Sequence, residues 1–205
     1  MQIDTLQVGA LQTNCYVVRA ADGSAALVDP GDDADRIIRH VRTADLTVKG
    51  IWLTHGHYDH IGAVNALKQV FDCPVTACRS ERMLLQDARM NLSLLFIGRP
   101  LTVTADRLYD DGDTFEFGGE TVEVLHTPGH TSGSCCYRIG DILLSGDTLF
   151  QNSIGRTDFP TGDVTAMMGS LRRLSALEGD CTILSGHGPA TLLSTERKYN
   201  PYLGD

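Results

Sequence analysis

The stretch THGHYDHIG at residues 54–62 places three histidines and one aspartate within a short segment. Imidazole and carboxylate groups are typical ligands of Zn²⁺, Fe²⁺ and Mn²⁺. On a helix, positions two apart point about 200° apart, whereas on an extended segment they share one side. His55, His57 and Asp59 would therefore project together from the end of a strand, and His60 breaks the alternation. The stretch predicts a strand-to-helix loop that offers two neighbouring sets of metal ligands.

Three further segments can supply the missing ligands. His130 follows a Pro-Gly turn in TPGH, Asp147 follows an apolar run in LLSGDT, and His187 has the same place in ILSGHG. Loops at strand ends are where a rigid scaffold presents functional groups. The two remaining histidines, His40 and His126, lie outside these motifs and are predicted to have structural roles.

Seven such groups suit two ions that share one carboxylate, because a bridging carboxylate spans metals about 3.5–4 Å apart. The predicted ligand sets are His55, His57 and His130 for one ion, Asp59, His60 and His187 for the other, and Asp147 between them. Zinc is favoured, with iron or manganese as alternatives. The absence of cysteine ligands argues against a closed structural zinc site.

Composition narrows the class of protein. The chain has 205 residues, 42% of them apolar, and a formal net charge of −9, which fits a single domain over residues 1–205. The acidic balance argues against a nucleic-acid partner.

No apolar run approaches the roughly 20 residues that span a bilayer, and the N-terminus does not resemble a secretion signal. Six cysteines without CxxC spacing indicate reduced thiols. We expect a cytoplasmic monomer or small homo-oligomer with a small-molecule substrate and no membrane association.

The hydrophobic patterns predict an α/β fold with two similar halves. Apolar, β-branched runs predict strands near residues 2–8, 14–20, 24–29, 48–54, 74–77, 106–109, 114–117, 120–126, 135–139, 142–146 and 182–186. Helical spacing of apolar residues predicts helices after Asp32 or Asp33, over 61–71, over 80–89 and over 163–177. Strands that alternate with helices in two halves indicate two sheets packed face to face, with the helices outside.

The motifs THGHYDHIG, TPGHTSGS, SGDTLF and SGHGP, together with VDPG at 28–31, resemble the metallo-β-lactamase superfamily. The resemblance implies an αββα four-layer sandwich of two mixed sheets, with a metal pair at one edge. FQNSIGRTDFP at 150–160 resembles the short, single-domain glyoxalase II-like group. That implies hydrolysis of S-lactoylglutathione or a related thioester by a metal-bridging hydroxide, which Asp59 would orient. Longer glyoxalase II proteins carry a C-terminal helical domain that clamps glutathione, and no such domain is expected here, since 18 residues follow His187.

Other activities stay open at this point. A mononuclear iron persulfide dioxygenase on the same fold would use His55, His130 and Asp147 alone. A lactonase or another ester hydrolase would use the full ligand set. A non-catalytic module held together by metal is disfavoured, because structural sites are usually saturated with protein ligands.

The residues that contact the substrate are only weakly indicated by sequence. Candidates are Tyr58, between two ligands, Arg156, which could instead pair with Asp158, and three residues near the C-terminus that could equally be a solvated end: Arg197, Lys198 and Asn200. The segment 91–98 forms either an apolar lip or a packing surface. Asp29 at a strand end either supports a histidine ligand or forms a turn.

Overall fold

The strands lie in two six-stranded sheets and one two-stranded ribbon, in a computed structural model that describes residues 1–203. The first sheet follows chain order: β1 (Gln2–Val8), β2 (Thr13–Arg19), β3 (Ser24–Val28), β4 (Thr47–Trp52), β5 (Val75–Cys78) and β6 (Arg107–Tyr109). Its first three strands are antiparallel, and β3 to β6 run parallel. The sheet is therefore mixed, as expected.

The second sheet and the ribbon contain the remaining strands: β7 (Thr114–Phe117), β8 (Glu120–His126), β9 (Cys135–Ile139), β10 (Ile142–Gly146), β11 (Leu149–Phe150), β12 (Ser153–Ile154), β13 (Thr182–Ser185) and β14 (Thr191–Leu192). The order in the sheet is β14-β13-β10-β9-β8-β7, and β11 pairs with β12 in the ribbon. In the sheet β10 and β13 run parallel, and the other neighbours are antiparallel. The carboxyl ends of β10 and β13 consequently lie at the same edge.

Helices cover the outer faces of the sheets. They are α1 (Ala34–Thr43), α2 (Tyr58–Ile61), α3 (Val64–Phe71), α4 (Arg82–Gln86), α5 (Ser93–Phe96), α6 (Val164–Ser175) and α7 (Leu193–Tyr199), with a 3₁₀ turn at Arg79–Glu81. Asp163 caps α6, since its side chain accepts from Ala166 N. The expected side-chain cap of α1 is absent: Asp33 stands at that position but accepts from Gly9 N instead.

Three buried clusters define the layers. One lies between the first sheet and helices α1 and α3, one between the two sheets, and one between the second sheet and α6. Strand β2 shows how the sequence builds this arrangement. Cys15 and Val17 belong to the outer cluster, while Tyr16 and Val18 belong to the cluster between the sheets. Because strand side chains alternate between faces, a strand buried on both sides reads as a continuous apolar run. The predicted αββα sandwich is confirmed.

Several local predictions need correction. The single helix expected over 61–71 is divided into α2 and α3, and Ala63 N between them donates to the carbonyl oxygen of Pro30 at 3.0 Å. The chain also packs closely around Gly62. A Cβ there would lie 2.0 Å from the carbonyl oxygen of Gly31, so only glycine fits. The ribbon β11–β12, strand β14 and helix α7 were not expected from the hydrophobic pattern. Within residues 1–203, the helices are all too short or too polar to cross a bilayer.

Candidate metal centre

The predicted ligands lie at strand ends along one edge of the sandwich. His55 follows β4, and His57 immediately precedes α2, which contains Asp59 and His60. The second sheet supplies the other three from the loops after its strands: His130 after β8, Asp147 after β10 and His187 after β13. The two sheets thus contribute ligands from opposite sides of the same cleft.

The first ligand set converges as predicted. The ligand atoms of His55, His57 and His130 all lie within 4.8 Å of one another, and the three residues are buried. His57 Nδ1 is 2.9 Å from His130 Nε2. Three imidazoles at this separation match the ligand number of an open, tetrahedral metal site.

The predicted ligands of the second set also lie close together. Asp59, His60 and His187 also have ligand atoms within 4.8 Å of one another. His187 Nε2 lies 3.3 Å from Asp59 Oδ2, and His60 Nε2 lies 3.6 Å from the same oxygen. A carboxylate with two imidazoles is a donor set that suits zinc, iron or manganese.

Asp147 lies between the two sets. Its Oδ2 is 3.5 Å from His130 Nε2 and 3.6 Å from His187 Nε2, and its Oδ1 is 3.5 Å from His60 Nε2. One carboxylate therefore faces ligands from both clusters. This is the position that the sequence predicts for a bridging residue.

The donor atoms fit metal ions better than hydrogen bonds. Four buried polar atoms have no hydrogen-bond partner within residues 1–203: His55 Nε2, His57 Nε2, His60 Nε2 and Asp147 Oδ1. Buried polar atoms are normally paired, so unpaired ones at a cluster of imidazoles need another partner. Because His57 faces His130 through Nδ1, cations within the clusters would supply that partner to the other three atoms, His55 Nε2, His60 Nε2 and Asp147 Oδ1.

Charge effects also favour neutral imidazoles in the first set. Burial lowers the pKa of His55 well below its ordinary value, and the neighbouring imidazoles His60 and His130 lower it further. Burial, aided by His130, lowers the pKa of His57 to about 3. The neutral imidazole is the metal-binding form.

The second set lies among several carboxylates. Burial opposes ionisation of Asp59, but nearby His60 and His187 outweigh it and hold its pKa well below the ordinary value. Burial would lower the pKa of His60, yet Asp147, Asp59 and Asp29 raise it to about 10. The same negative field that favours a proton at this position favours a metal cation.

The far ring nitrogens of the ligands are held by specific acceptors. Asp29 accepts from Thr54 N at 2.8 Å, from Thr54 Oγ1 at 2.6 Å, and pairs with His60 Nδ1 at 3.0 Å. His130 Nδ1 donates to the carbonyl oxygen of Arg156 at 2.7 Å. Such contacts fix ring orientation and leave Nε2 for the metal. Of the two roles left open for Asp29, the support of a histidine ligand is the one that the geometry bears out.

Glu81 was missed by sequence reasoning. It is fully buried, accepts from Gly56 N at 2.8 Å and Gly133 N at 2.9 Å, and accepts from Thr131 Oγ1 at 3.0 Å. Burial raises its pKa to about 7. The carboxylate joins the loop of His55 and His57 to the loop of His130. In the sequence Glu81 lies in the charged stretch RSERM, which is typical of an exposed helix. No local signal therefore indicates that it is buried.

A cavity of about 490 Å³ opens over the centre. Its floor contains the ligands His57, Asp59, His130, Asp147 and His187. Its walls are largely apolar, formed by Leu11, Tyr58, Leu92, Phe96, Phe150 and Phe159. The size lies within the range of small-molecule sites. The arrangement can bind a small molecule directly against the candidate metal pair.

Two of the predicted substrate contacts line this cavity. Tyr58 stacks on Phe96 with ring centroids 5.5 Å apart. Arg156 forms the alternative ion pair, with Nε and Nη2 each 2.7 Å from an oxygen of Asp158. Its guanidinium also lies 3.8 Å from the centre of the Phe159 ring. Arg156 therefore borders the cavity while its charge is matched by a neighbour.

The other three predicted contacts are not brought to the cavity. Arg197 donates to the backbone carbonyls of Ser175, Leu177 and Gly179 and anchors α7 to the end of α6. Lys198 lies 4.9 Å over the Tyr199 ring. Neither side chain lines the cavity, and a role for either in substrate binding stays a prediction.

Asn200 is also structural. Its Nδ2 donates to the carbonyls of Phe150 and Ser153 and to Glu196, and so it holds the ribbon that contributes Phe150 to the cavity wall. The two remaining histidines behave as expected. His40 pairs with Asp4, and His126 binds the carbonyl of Ser132. The six cysteines are buried and unpaired.

Comparison with known proteins supports the motif assignment. Residues 8–187 match the family model of the metallo-β-lactamase superfamily. The chain is 36% identical to hydroxyacylglutathione hydrolase GloC of Haemophilus influenzae, over 99% of this chain and 98% of that protein. Its sequence is 40% identical to that of BLEG-1 B3 metallo-β-lactamase. The crystal structure of that protein matches this fold with a TM-score of 0.94, over 100% of both chains.

A third similar protein carries metal. TTHA1623, whose crystal structure was determined in a di-iron-bound form, is 34% identical to this chain in sequence. The two structures match with a TM-score of 0.86, over 98% of this chain and 100% of that one. The His and Asp clusters of the present chain likewise suit a site for two metal ions. On its motifs, its fold and these matches, the chain belongs to the metallo-β-lactamase superfamily.

Proposed function

We propose that this protein is a metal-dependent thioester hydrolase, with S-lactoylglutathione or a related thioester as substrate. The observation that carries the proposal is the pair of ligand sets joined by Asp147 beneath an open cavity. The similarity to a hydroxyacylglutathione hydrolase supports the thioester class. The net charge of −9 supports a small-molecule substrate rather than a nucleic acid.

The metal ions, when bound, supply Lewis acidity and lower the pKa of water from 15.7 to about 7. His55, His57 and His130 would hold one ion, and Asp59, His60 and His187 the other, with Asp147 shared. Asp59 is held ionised, and Thr13 Oγ1 donates to its Oδ2 at 3.2 Å. An ionised carboxylate in this position accepts a hydrogen bond from the attacking water and orients it.

The leaving group favours a thioester over an amide. A thiolate has a pKa near 8.5 and departs without a strong general acid, whereas an amide nitrogen needs a proton. Because BLEG-1 bears the name of a β-lactamase and is 40% identical, a β-lactam is the second candidate substrate. A lactone and a simple ester complete the range of acyl compounds to be compared.

The test combines metal quantification with a substrate panel. We expect close to two ions per chain and hydrolysis of at least one thioester, faster than of the β-lactam or lactone. His57→Ala and Asp147→Ala should each lower kcat/KM by about a thousandfold or more, since each removes a ligand, while circular dichroism shows the fold retained. His40→Ala, which removes a histidine outside the centre, is the control. Full activity of either ligand variant would refute the site assignment.

The mononuclear dioxygenase gives a different result in the same experiment. It needs only His55, His130 and Asp147, and it leaves the convergence of Asp59, His60 and His187 without a purpose. One iron per chain, with oxygen consumption on a persulfide and no thioester hydrolysis, would support it and contradict the hydrolase proposal.

A further inference from the structure

The cavity wall forms an almost continuous aromatic surface. Tyr58 stacks on Phe96, and Phe96 lies edge-on to Phe159 with ring centroids 6.0 Å apart. Phe159 in turn meets the ligand His57 at 5.7 Å, and Phe150 approaches the ligand His187 at 6.3 Å. The aromatic surface therefore reaches the ligands on both sides of the candidate metal pair.

The same wall offers little to a negatively charged substrate. Among the described residues that line the cavity, Arg156 is the one lysine or arginine. Its charge is matched by the two bonds to Asp158, and one face of its guanidinium is covered by Phe159. The carboxylate of Asp158 therefore offsets the one positive side chain at the cavity wall.

The surface next to the cavity adds no excess of positive side chains. A second cavity of about 210 Å³ shares Leu11, Tyr58, Asp59 and Phe96 with the first. Arg99 lines it, but so do the carboxylates of Asp32 and Asp59. A substrate that extends past the Tyr58–Phe96 stack meets side chains of mixed charge there. Glutathione carries two carboxylates, for which this surface has no matching cluster of cations.

We infer that the substrate carries an uncharged, aromatic-sized apolar group next to its reacting thioester, and that the surface formed by Tyr58, Phe96, Phe150 and Phe159 binds this group. The inference rests on the proposed thioester hydrolysis and narrows its substrate class. Packing of an apolar group against aromatic rings removes its surface from water and so favours binding. The group can belong to the acyl part or to the thiol part, since both flank the reacting carbon.

The first experiment compares thioesters that differ in one part at a time. Acetyl, butanoyl and phenylacetyl thioesters of N-acetylcysteamine vary the acyl group, the acetyl thioester of benzyl thiol varies the thiol, and S-lactoylglutathione is the charged comparison. We expect kcat/KM for the best aromatic member to exceed that for acetyl-N-acetylcysteamine and for S-lactoylglutathione by at least about tenfold, equivalent to about 1.4 kcal/mol. Whichever aromatic member shows the gain identifies the part that carries the group.

Two other outcomes distinguish failure of the inferred apolar group from failure of the proposed thioester hydrolysis. Rapid cleavage of S-lactoylglutathione, with no gain from either aromatic compound, would overturn the inference and leave thioester hydrolysis intact. If the metal-loaded protein cleaves no thioester, the proposed function fails. Binding then tests the apolar surface by itself. A non-hydrolysable thioether analogue of the phenylacetyl compound should bind by calorimetry to metal-loaded and metal-stripped protein, and more tightly than its acetyl counterpart. Equal affinities would overturn the inference.

Neighbouring residues of α5 offer a matched pair of variants. Phe96 lines the cavity, whereas Leu95 is 70% exposed and does not. Phe96→Ser should reduce the preference for the aromatic over the acetyl substrate by about tenfold, since it removes one ring of the aromatic surface that would pack against the substrate. Leu95→Ser should leave the preference within about twofold. An unchanged preference in Phe96→Ser, with normal folding by circular dichroism, would contradict the assignment.

Discussion

At the scale of single residues, the candidate centre depends on close backbone approaches as much as on its ligands. At Gly155 the chain passes directly beside the backbone of Asp147, the residue that faces both ligand sets. A Cβ at Gly155 would lie 1.8 Å from the carbonyl oxygen of Asp147 and 3.2 Å from His130 Nδ1. The next residue, Arg156, supplies the carbonyl that orients His130. One glycine therefore controls the approach of a supporting loop to two ligands.

Gly155→Ala is expected to disturb the centre without touching a ligand side chain. Relief of the clash must move either the supporting loop or the backbone of Asp147, at a cost of roughly 1–3 kcal/mol in unfolding free energy. Metal affinity, measured by competition with a chelator, should fall by about tenfold or more.

The control for this substitution is Gly169→Ala. Gly169 lies in α6, and a Cβ there meets no atom within 4 Å. Since alanine is the better helix former, the unfolding free energy should stay constant or rise by up to about 1 kcal/mol. Equal metal affinities in the Gly155 and Gly169 variants would contradict the supporting role of the loop.

At the scale of elements, the loops that carry the ligands are fastened to one another. Glu81 binds the loop after β4 and the loop after β8 through backbone amides of Gly56 and Gly133. Asp29, at the end of β3, binds Thr54 and His60. Each ligand loop follows the end of a strand, and these buried carboxylates fix the relative positions of the loops.

The buried carboxyl group of Glu81 should impose a pH dependence on stability. Its pKa rises from 4.5 to about 7 on folding, so the folded state binds the proton more tightly than the unfolded state. The contribution of Glu81 to stability is fully present below about pH 4.5 and declines as the pH rises through about 7. The difference is on the order of 3 kcal/mol, at about 1.4 kcal/mol per pKa unit.

Glu81→Gln removes this titration. Urea unfolding at pH 5 and pH 8, with metal present in excess, should show a smaller loss of stability with rising pH in Glu81→Gln than in the parent protein. Glu178→Gln, at an exposed position, serves as the control and should follow the parent. Identical pH dependence in all three proteins would show that Glu81 does not titrate on folding in this range.

At the scale of the whole molecule, the candidate centre lies where the two sheets meet. The loop after β4 belongs to the first sheet, and His130, Asp147 and His187 belong to the second. Bound ions would therefore link the two halves of the sandwich. Without ions, buried imidazole and carboxylate atoms remain unpaired, which disfavours the folded state.

Metal removal is consequently expected to destabilise the protein. A ligand that binds only the folded state at 1,000 times its dissociation constant contributes about 4 kcal/mol. Chelation should lower the urea midpoint, and addition of zinc should restore it. In Asp147→Ala the difference between the two conditions should be smaller. A midpoint that stays constant after demonstrated loss of metal would contradict the link between the sheets.

Local sequence patterns and motifs were enough to predict the candidate ligand set, most strands and the fold class. Spacing of two on an extended segment is a local property, and so is the alternation of Cys15, Tyr16, Val17 and Val18 between two buried faces. These features can be read without knowledge of distant residues. The predicted pairing of the three histidine ligands with the first ion, and of Asp59, His60 and His187 with the second, agrees with the observed clusters.

The surroundings of the candidate ligands depend on tertiary contacts. Glu81 and Arg197 both look like exposed charges in the sequence, yet Glu81 is buried between two ligand loops and Arg197 binds backbone carbonyls far along the chain. The aromatic wall unites Tyr58, Phe96, Phe150 and Phe159, which no local pattern connects. Such contacts arise between segments distant in sequence, and their energies depend on burial and on partners that exist only once the two sheets have packed together.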